Sequence, residues 1–135
     1  MYLLDTNVCI EIINKRSAKV REHFQLAVEG GASLFVSSIS SFELWYGVEK
    51  SDQQEVNRRL VAAFLSGPLQ LLTFDEEDSV LAGGIRATLE IQGKAIGPFD
   101  TLIAGQALRQ GLILVTANTR EFSRVKGLRL ENWAR

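Results

Sequence analysis

The chain has 135 residues, with 15 Lys+Arg against 16 Asp+Glu, one His and one Cys, for a formal net charge of -1. At 46% hydrophobic and 23% charged residues the composition is that of one globular domain spanning residues 1–135, and it excludes a disordered or fibrous chain. A lone Cys makes no internal disulfide, no apolar run reaches the roughly 20 residues of a membrane span, and the N-terminus does not read as a signal peptide, so a cytoplasmic setting is expected.

Tyr2-Leu3-Leu4 is a short apolar strand stopped by Asp5-Thr6-Asn7, residues that favour caps and turns. A helix follows, with Val8, Ile12 and Ile13 on one face. Ser17 caps a second helix whose apolar positions are Val20, Phe24, Leu26 and Ala27, ended by Gly30-Gly31. Leu34-Phe35-Val36 reads as a buried strand. A helix from about Ser40 then carries Phe42, Leu44, Trp45 and Val48, and another repeats Val56, Leu60, Ala63 and Phe64 at helical spacing. The segment from Leu69 to Phe74 is a third strand candidate. Asp75-Glu76-Glu77-Asp78 opens the next helix, where acids suit the positive end of the dipole, and Gly83-Gly84 allows close packing within it. A nearly apolar helix runs from Thr101 to Leu108, its small residues suited to packing on a sheet. Leu112 to Val115 is the clearest strand, and Leu128-Arg129-Leu130 a last edge strand. Short continuous apolar strands alternating with helices predict an α/β three-layer sandwich around a mostly parallel sheet.

In open α/β sheets ligands bind beyond the carboxyl ends of the strands. Four acids fall near such exits: Asp5 after the first strand, Glu43 after the second, Asp100 at the start of the apolar helix, and Glu121 after the strand ending at Val115. Each alone has a capping explanation: Asp5 as an N-cap, Ser40 to Glu43 and Asn118 to Glu121 as capping boxes, and Asp100 as a first-turn acid. Together they mean more. Capping needs no convergence, whereas carboxylates gathered at one crevice repel unless a cation lies between them. Hard cations such as Mg²⁺ take oxygen ligands and activate water against phosphodiesters, with no need of a His base or a Ser or Cys nucleophile. Other chemistry is scarce. His23 stands alone, Cys9 falls among core positions, Gly93 to Gly97 lacks the Lys-Ser/Thr of a phosphate loop, and Trp45, Tyr46 and Trp133 read as core or interface aromatics.

The motifs Leu4-Asp5-Thr6-Asn7, Ser37-Ser38 with Glu43 and Tyr46-Gly47, Gly97-Pro98-Phe99-Asp100 with Ile103-Ala104, and Val115 to Phe122 resemble the PIN domain of VapC toxins. Those are the ribonuclease halves of bacterial type II toxin–antitoxin modules. The resemblance runs over essentially the whole chain. It implies a PIN-like fold and an endoribonuclease dependent on Mg²⁺ or Mn²⁺. Asp5, Glu43 and Asp100 would serve as the first three acids, with Glu121 or Asn118 in the fourth place. Thr6, Asn7, Thr116 and Asn118 would act in support. It further implies a VapB-type antitoxin, a toxin homodimer, a toxin–antitoxin hetero-oligomer, and structured RNA as substrate, with initiator tRNA a candidate.

Two readings from other classes stand beside it. One is a phosphatase of the haloacid dehalogenase type using Asp5 as nucleophile, although that class wants a second Asp where position 7 is Asn. The other is a non-catalytic α/β binding module. A charge of -1 argues against an RNA partner only if the charges are evenly spread. With four acids set aside as a cation-neutralised cluster, 15 positive charges face 12 negative ones. The C-terminal basics, Arg120, Arg124 and Lys126 among them, are the candidates for contacting RNA phosphates.

Overall fold

The computed structural model describes all 135 residues. The elements are β1 (Tyr2–Leu4), α1 (Thr6–Asn14), α2 (Ala18–Glu29), β2 (Leu34–Ser37), α3 (Ser38–Lys50), α4 (Gln54–Leu65), β3 (Gln70–Leu72), α5 (Glu76–Ile91), α6 (Pro98–Gln110), β4 (Ile113–Val115), α7 (Thr119–Phe122) and β5 (Leu130–Glu131). The strands form one five-stranded sheet in the order β3-β2-β1-β4-β5, every pair parallel. Such strands need crossover connections, and the intervening helices supply them.

Alternation along each strand builds the layers. Leu4, Leu34, Val36 and Val115 turn to one face, where they pack with Val8, Cys9, Val20, Leu44, Val48 and Val61 of α1–α4. Leu3 and Leu114 turn to the other, against Leu89 of α5, Ile103, Ala104 and Ala107 of α6, and Phe122 of α7. Both faces are covered, which is why the strands read as unbroken apolar runs.

Three sequence expectations shift. First, α3 begins at Ser38, because the Ser37 hydroxyl accepts the Ile39 N–H at 3.0 Å and caps the helix. Phe42 and Trp45 then lie on the exposed side of α3, as does Leu26 on α2. Second, Gly83 and Gly84 face open space. The close approach is instead at Gly105 of α6, where an added Cβ would stand 2.8 Å from Ala82 of α5, so this glycine packs on a helix and not on the sheet. Third, the acids from Asp75 to Asp78 do more than start a helix. Asp75 and Asp78 form a capping box, and Arg109 of α6 also pairs with Asp75, Glu77 and the wholly buried Asp78. That clamp ties α5 to α6.

Candidate active site

β1 is the central strand, with β2 and β3 added on one side before the chain crosses back to add β4 and β5 on the other, so the strand order reverses and the crevice opens at the β1/β4 carboxyl ends. Asp5 occupies that exit. Its backbone N–H donates to Val115 O at 3.0 Å, and its Oδ1 accepts the Val8 N–H at 2.8 Å. The capping explanation therefore holds for Asp5, but it uses only one of the two carboxylate oxygens. Asp5 is 4% exposed and no basic side chain pairs with it.

The remaining acids are placed by other means. α3 begins too early for Ser40 to Glu43 to be a capping box, and Glu43 sits in the interior of the helix. Its Oε1 accepts the Thr6 hydroxyl at 2.7 Å, while the Thr6 oxygen lies 2.8 Å from Ser40 Oγ and can accept its proton in turn. Asp100 lies in the first turn of α6, behind Pro98 at the helix start, where Gly97 offers no side-chain cap. Phe42 and Phe99 immediately precede Glu43 and Asp100, and their ring centroids are 5.6 Å apart. That contact brings the starts of α3 and α6 together. Asn118 and Glu121 are not a capping box either: Asn118 Nδ2 donates to Glu121 Oε2 at 2.6 Å. Thr116 is fully buried, and its oxygen accepts the Asn118 N–H at 3.0 Å.

Electrostatics binds the set together. Burial raises the Asp5 carboxyl from its ordinary 3.8 to about 6, countered in part by Thr116 and the Val8 N–H, and assisted by the negative charges of Asp100 and Glu11. Asp100 is also raised, first by its own burial and then by Glu43 and Glu121. Each of the four acids thus lies within the field of another, with Asp100 in the middle. As the side chains stand, no three of them close around a single cation position. Their chemistry nonetheless suits a hard divalent cation: oxygen donors only, mutual repulsion, and no salt bridge to relieve it.

An open crevice beside Asp5 is lined by Asn7, Glu11, Arg16 and Asn118. Glu11 and Arg16 were not anticipated. Glu11 was findable, since Asn7 and Glu11 stand four apart on α1 and share a face. Arg16 was not, because its position depends on a left-handed residue just past the helix. Arg120, Arg124 and Lys126, the expected phosphate contacts, do not line this crevice. Arg120 is exposed on α7, Arg124 reaches the carbonyls of Lys94 and Ala95, and Arg124 and Lys126 face α5 beside Thr88 and Gln92. His23 and Trp133 pair with each other, the His23 Nδ1 lying 2.9 Å from the Trp133 carbonyl. Burial pushes the Cys9 thiol up, which leaves it inert.

A parallel sheet with four acids at its crevice is the build of a PIN domain. Residues 2–128 match the PIN domain family, and the chain belongs to it. Within that family the chain is an endoribonuclease of the VapC toxin group. It is 45% identical over 133 residues to the tRNA(fMet)-specific endonuclease VapC of Shigella flexneri, covering 98% of each chain. It is 42% identical over 132 residues to the enzyme of the same name from Salmonella typhimurium, covering 98% of this chain and 97% of that one. Among solved structures it resembles VapBC2 of Rickettsia felis bound to a promoter DNA fragment, with a TM-score of 0.90, 37% identity and 98% of each chain covered. DNA-bound VapBC of Salmonella typhimurium follows with a TM-score of 0.89, 42% identity, and 98% and 97% covered. The phosphatase and binding-module readings fall to these relatives. No helix is long and apolar enough to cross a membrane.

Proposed function

We propose that residues 1–135 act as one PIN domain that cleaves RNA phosphodiesters with Mg²⁺ or Mn²⁺, and that Asp5, Glu43, Asp100 and Glu121 hold one or two such cations. The observation that carries this reading is the unpaired acidic crevice, in which two carboxyls are pushed up in pKa and none of the four acids makes a salt bridge. A divalent cation held by these carboxylates would supply the missing positive charge and the Lewis acidity that phosphodiester hydrolysis needs.

The chain's own groups prepare the site. The Val8 N–H and Thr116 aim Asp5, Thr6 aims Glu43, and Asn118 aims Glu121. Such supporting hydrogen bonds fix ligand orientation and are worth about 10–100-fold in affinity or activity. Asn7 borders the same crevice, exposed to an incoming strand.

The relatives' names extend the proposal to initiator tRNA as substrate and to a VapB-type antitoxin as partner. A homodimer, a toxin–antitoxin hetero-oligomer and a cytoplasmic setting complete the reading. Exposed Trp45 and Tyr46 on α3 and Val56 and Leu60 on α4 leave apolar surface for such assembly. The test is incubation of purified protein with total tRNA in Mg²⁺, with EDTA, Asp5→Asn and Asp100→Asn as controls. Cleavage by the wild type with Mg²⁺ alone is expected. Equal cleavage in all four reactions would refute the assignment.

A further inference from the structure

The acidic crevice poses a problem for its own substrate, because four carboxylates repel an RNA backbone. A cation bound among them answers this only at the phosphate being cleaved. Neighbouring phosphates need a positive side chain at the lip. Of the basics expected for that work, Arg124 and Lys126 face α5 and Arg124 reaches toward backbone carbonyls, while Arg120 is exposed on α7 and does not line the crevice beside Asp5.

Arg16 is the one cationic side chain lining the crevice beside Asp5, Asn7 and Asn118. Its placement is built into the backbone. Lys15 ends α1 in the left-handed region at φ 54, the only non-glycine residue with positive φ. The Lys15 N–H closes on Ile12 O at 3.3 Å and the Arg16 N–H on Glu11 O at 3.1 Å, folding the chain back over the last turn of α1. The Arg16 side chain makes no salt bridge, although Glu11 and Asp5 border the same crevice. Arg109, by contrast, pairs with three carboxylates.

We propose that Arg16 binds an RNA backbone phosphate adjacent to the one cleaved, and so holds the strand in register over the acids. A planar guanidinium with free donors suits bidentate contact with a phosphate. The inference rests on the ribonuclease reading above. As a positioning residue, Arg16 acts on substrate binding and leaves the chemical step to the carboxylates.

The test compares wild type, Arg16→Ala and Arg16→Lys for tRNA cleavage in Mg²⁺. RNA binding by Asp100→Asn, with and without Arg16→Ala, is followed across a KCl series. Because Arg16 is exposed, the substitutions are expected to leave the melting temperature unchanged. For Arg16→Ala the expected result is a KM raised about tenfold with kcat unchanged. The log–log salt slope of binding should shrink by about 0.7–0.9, the share of one phosphate contact, and Arg16→Lys should recover part of the loss. If the wild type cleaves RNA but Arg16→Ala changes neither KM nor slope, or lowers kcat alone, the proposal fails and the ribonuclease reading stands. It fails likewise if Arg16→Ala spares RNA binding and loosens the complex with the co-expressed antitoxin. If the wild type neither binds nor cleaves RNA, both readings fall.

Discussion

Two acidic clusters of this molecule have similar composition and opposite fates. At the start of α5, Asp75, Glu77 and Asp78 meet the Arg109 guanidinium, whose own charge is further stabilised by its hydrogen bond to Asp78. There the carboxylates hold two helices together. At the β1/β4 crevice, Asp5, Glu43, Asp100 and Glu121 have no basic partner, and Asp5 and Asp100 are raised in pKa. The difference teaches that a run of acids marks a functional site only where the fold withholds the counter-charge. A satisfied cluster stabilises; an unsatisfied one stands ready for a cation from outside.

The largest contrast is expected in activity. Asp100→Asn should reduce RNA cleavage more than about 100-fold, beyond what a supporting hydrogen bond is worth, with the melting temperature preserved. Glu77→Gln in the α5 clamp should leave cleavage per folded molecule at the wild-type level. Matching losses in the two variants would erase the distinction.

Stability should show the opposite pattern, with a definite sign in pH. Asp5 titrates near 3.8 when unfolded and near 6 when folded. Its contribution to stability is therefore fully present below pH 3.8 and lost as pH rises through about 6. Without metal, Asp5→Asn should be more stable than wild type at pH 7, by on the order of 3 kcal/mol from about two pKa units. The gap should vanish near pH 4. Denaturant unfolding in EDTA measures it, and parallel curves across that range would count against a strained Asp5. Arg109→Ala should instead lower the melting temperature, because it leaves buried Asp78 without its partner.

The steric half of the α5–α6 contact can be tested separately. Gly105→Ala places a methyl 2.8 Å from the Ala82 backbone nitrogen and should destabilise by about 1–3 kcal/mol. Cleavage below the transition should be spared. The smallest effect is expected from Thr6→Ala, which frees Glu43 to wander and should lower cleavage about tenfold without changing stability. An unchanged rate would show that Glu43 needs no positioning.

Much of this was legible in the sequence. The strands at Tyr2–Leu4, Leu34–Ser37 and Ile113–Val115 are short apolar runs because both faces of the sheet are covered, and that pattern alone gives the layers. The four acids were legible as residues at strand exits and helix starts. What periodicity could not supply was pairing across the fold. Arg109 reaches Asp78 over 31 residues, and Thr6 reaches Glu43 over 37. The exposed Phe42 looked like core because helical spacing marks an apolar stripe without saying what covers it. Arg16 was hidden by the left-handed Lys15, which lacks the glycine that usually announces such a turn.

The central claim is that the crevice, and not the α5 clamp, is where a divalent cation binds. Calorimetric titration with Mn²⁺ of wild type, Asp5→Asn and Glu77→Gln tests it directly. The account predicts saturable binding by wild type and Glu77→Gln, stronger at pH 7 than at pH 5 as Asp5 ionises, and none by Asp5→Asn. Binding retained in Asp5→Asn, or lost in Glu77→Gln, would contradict it.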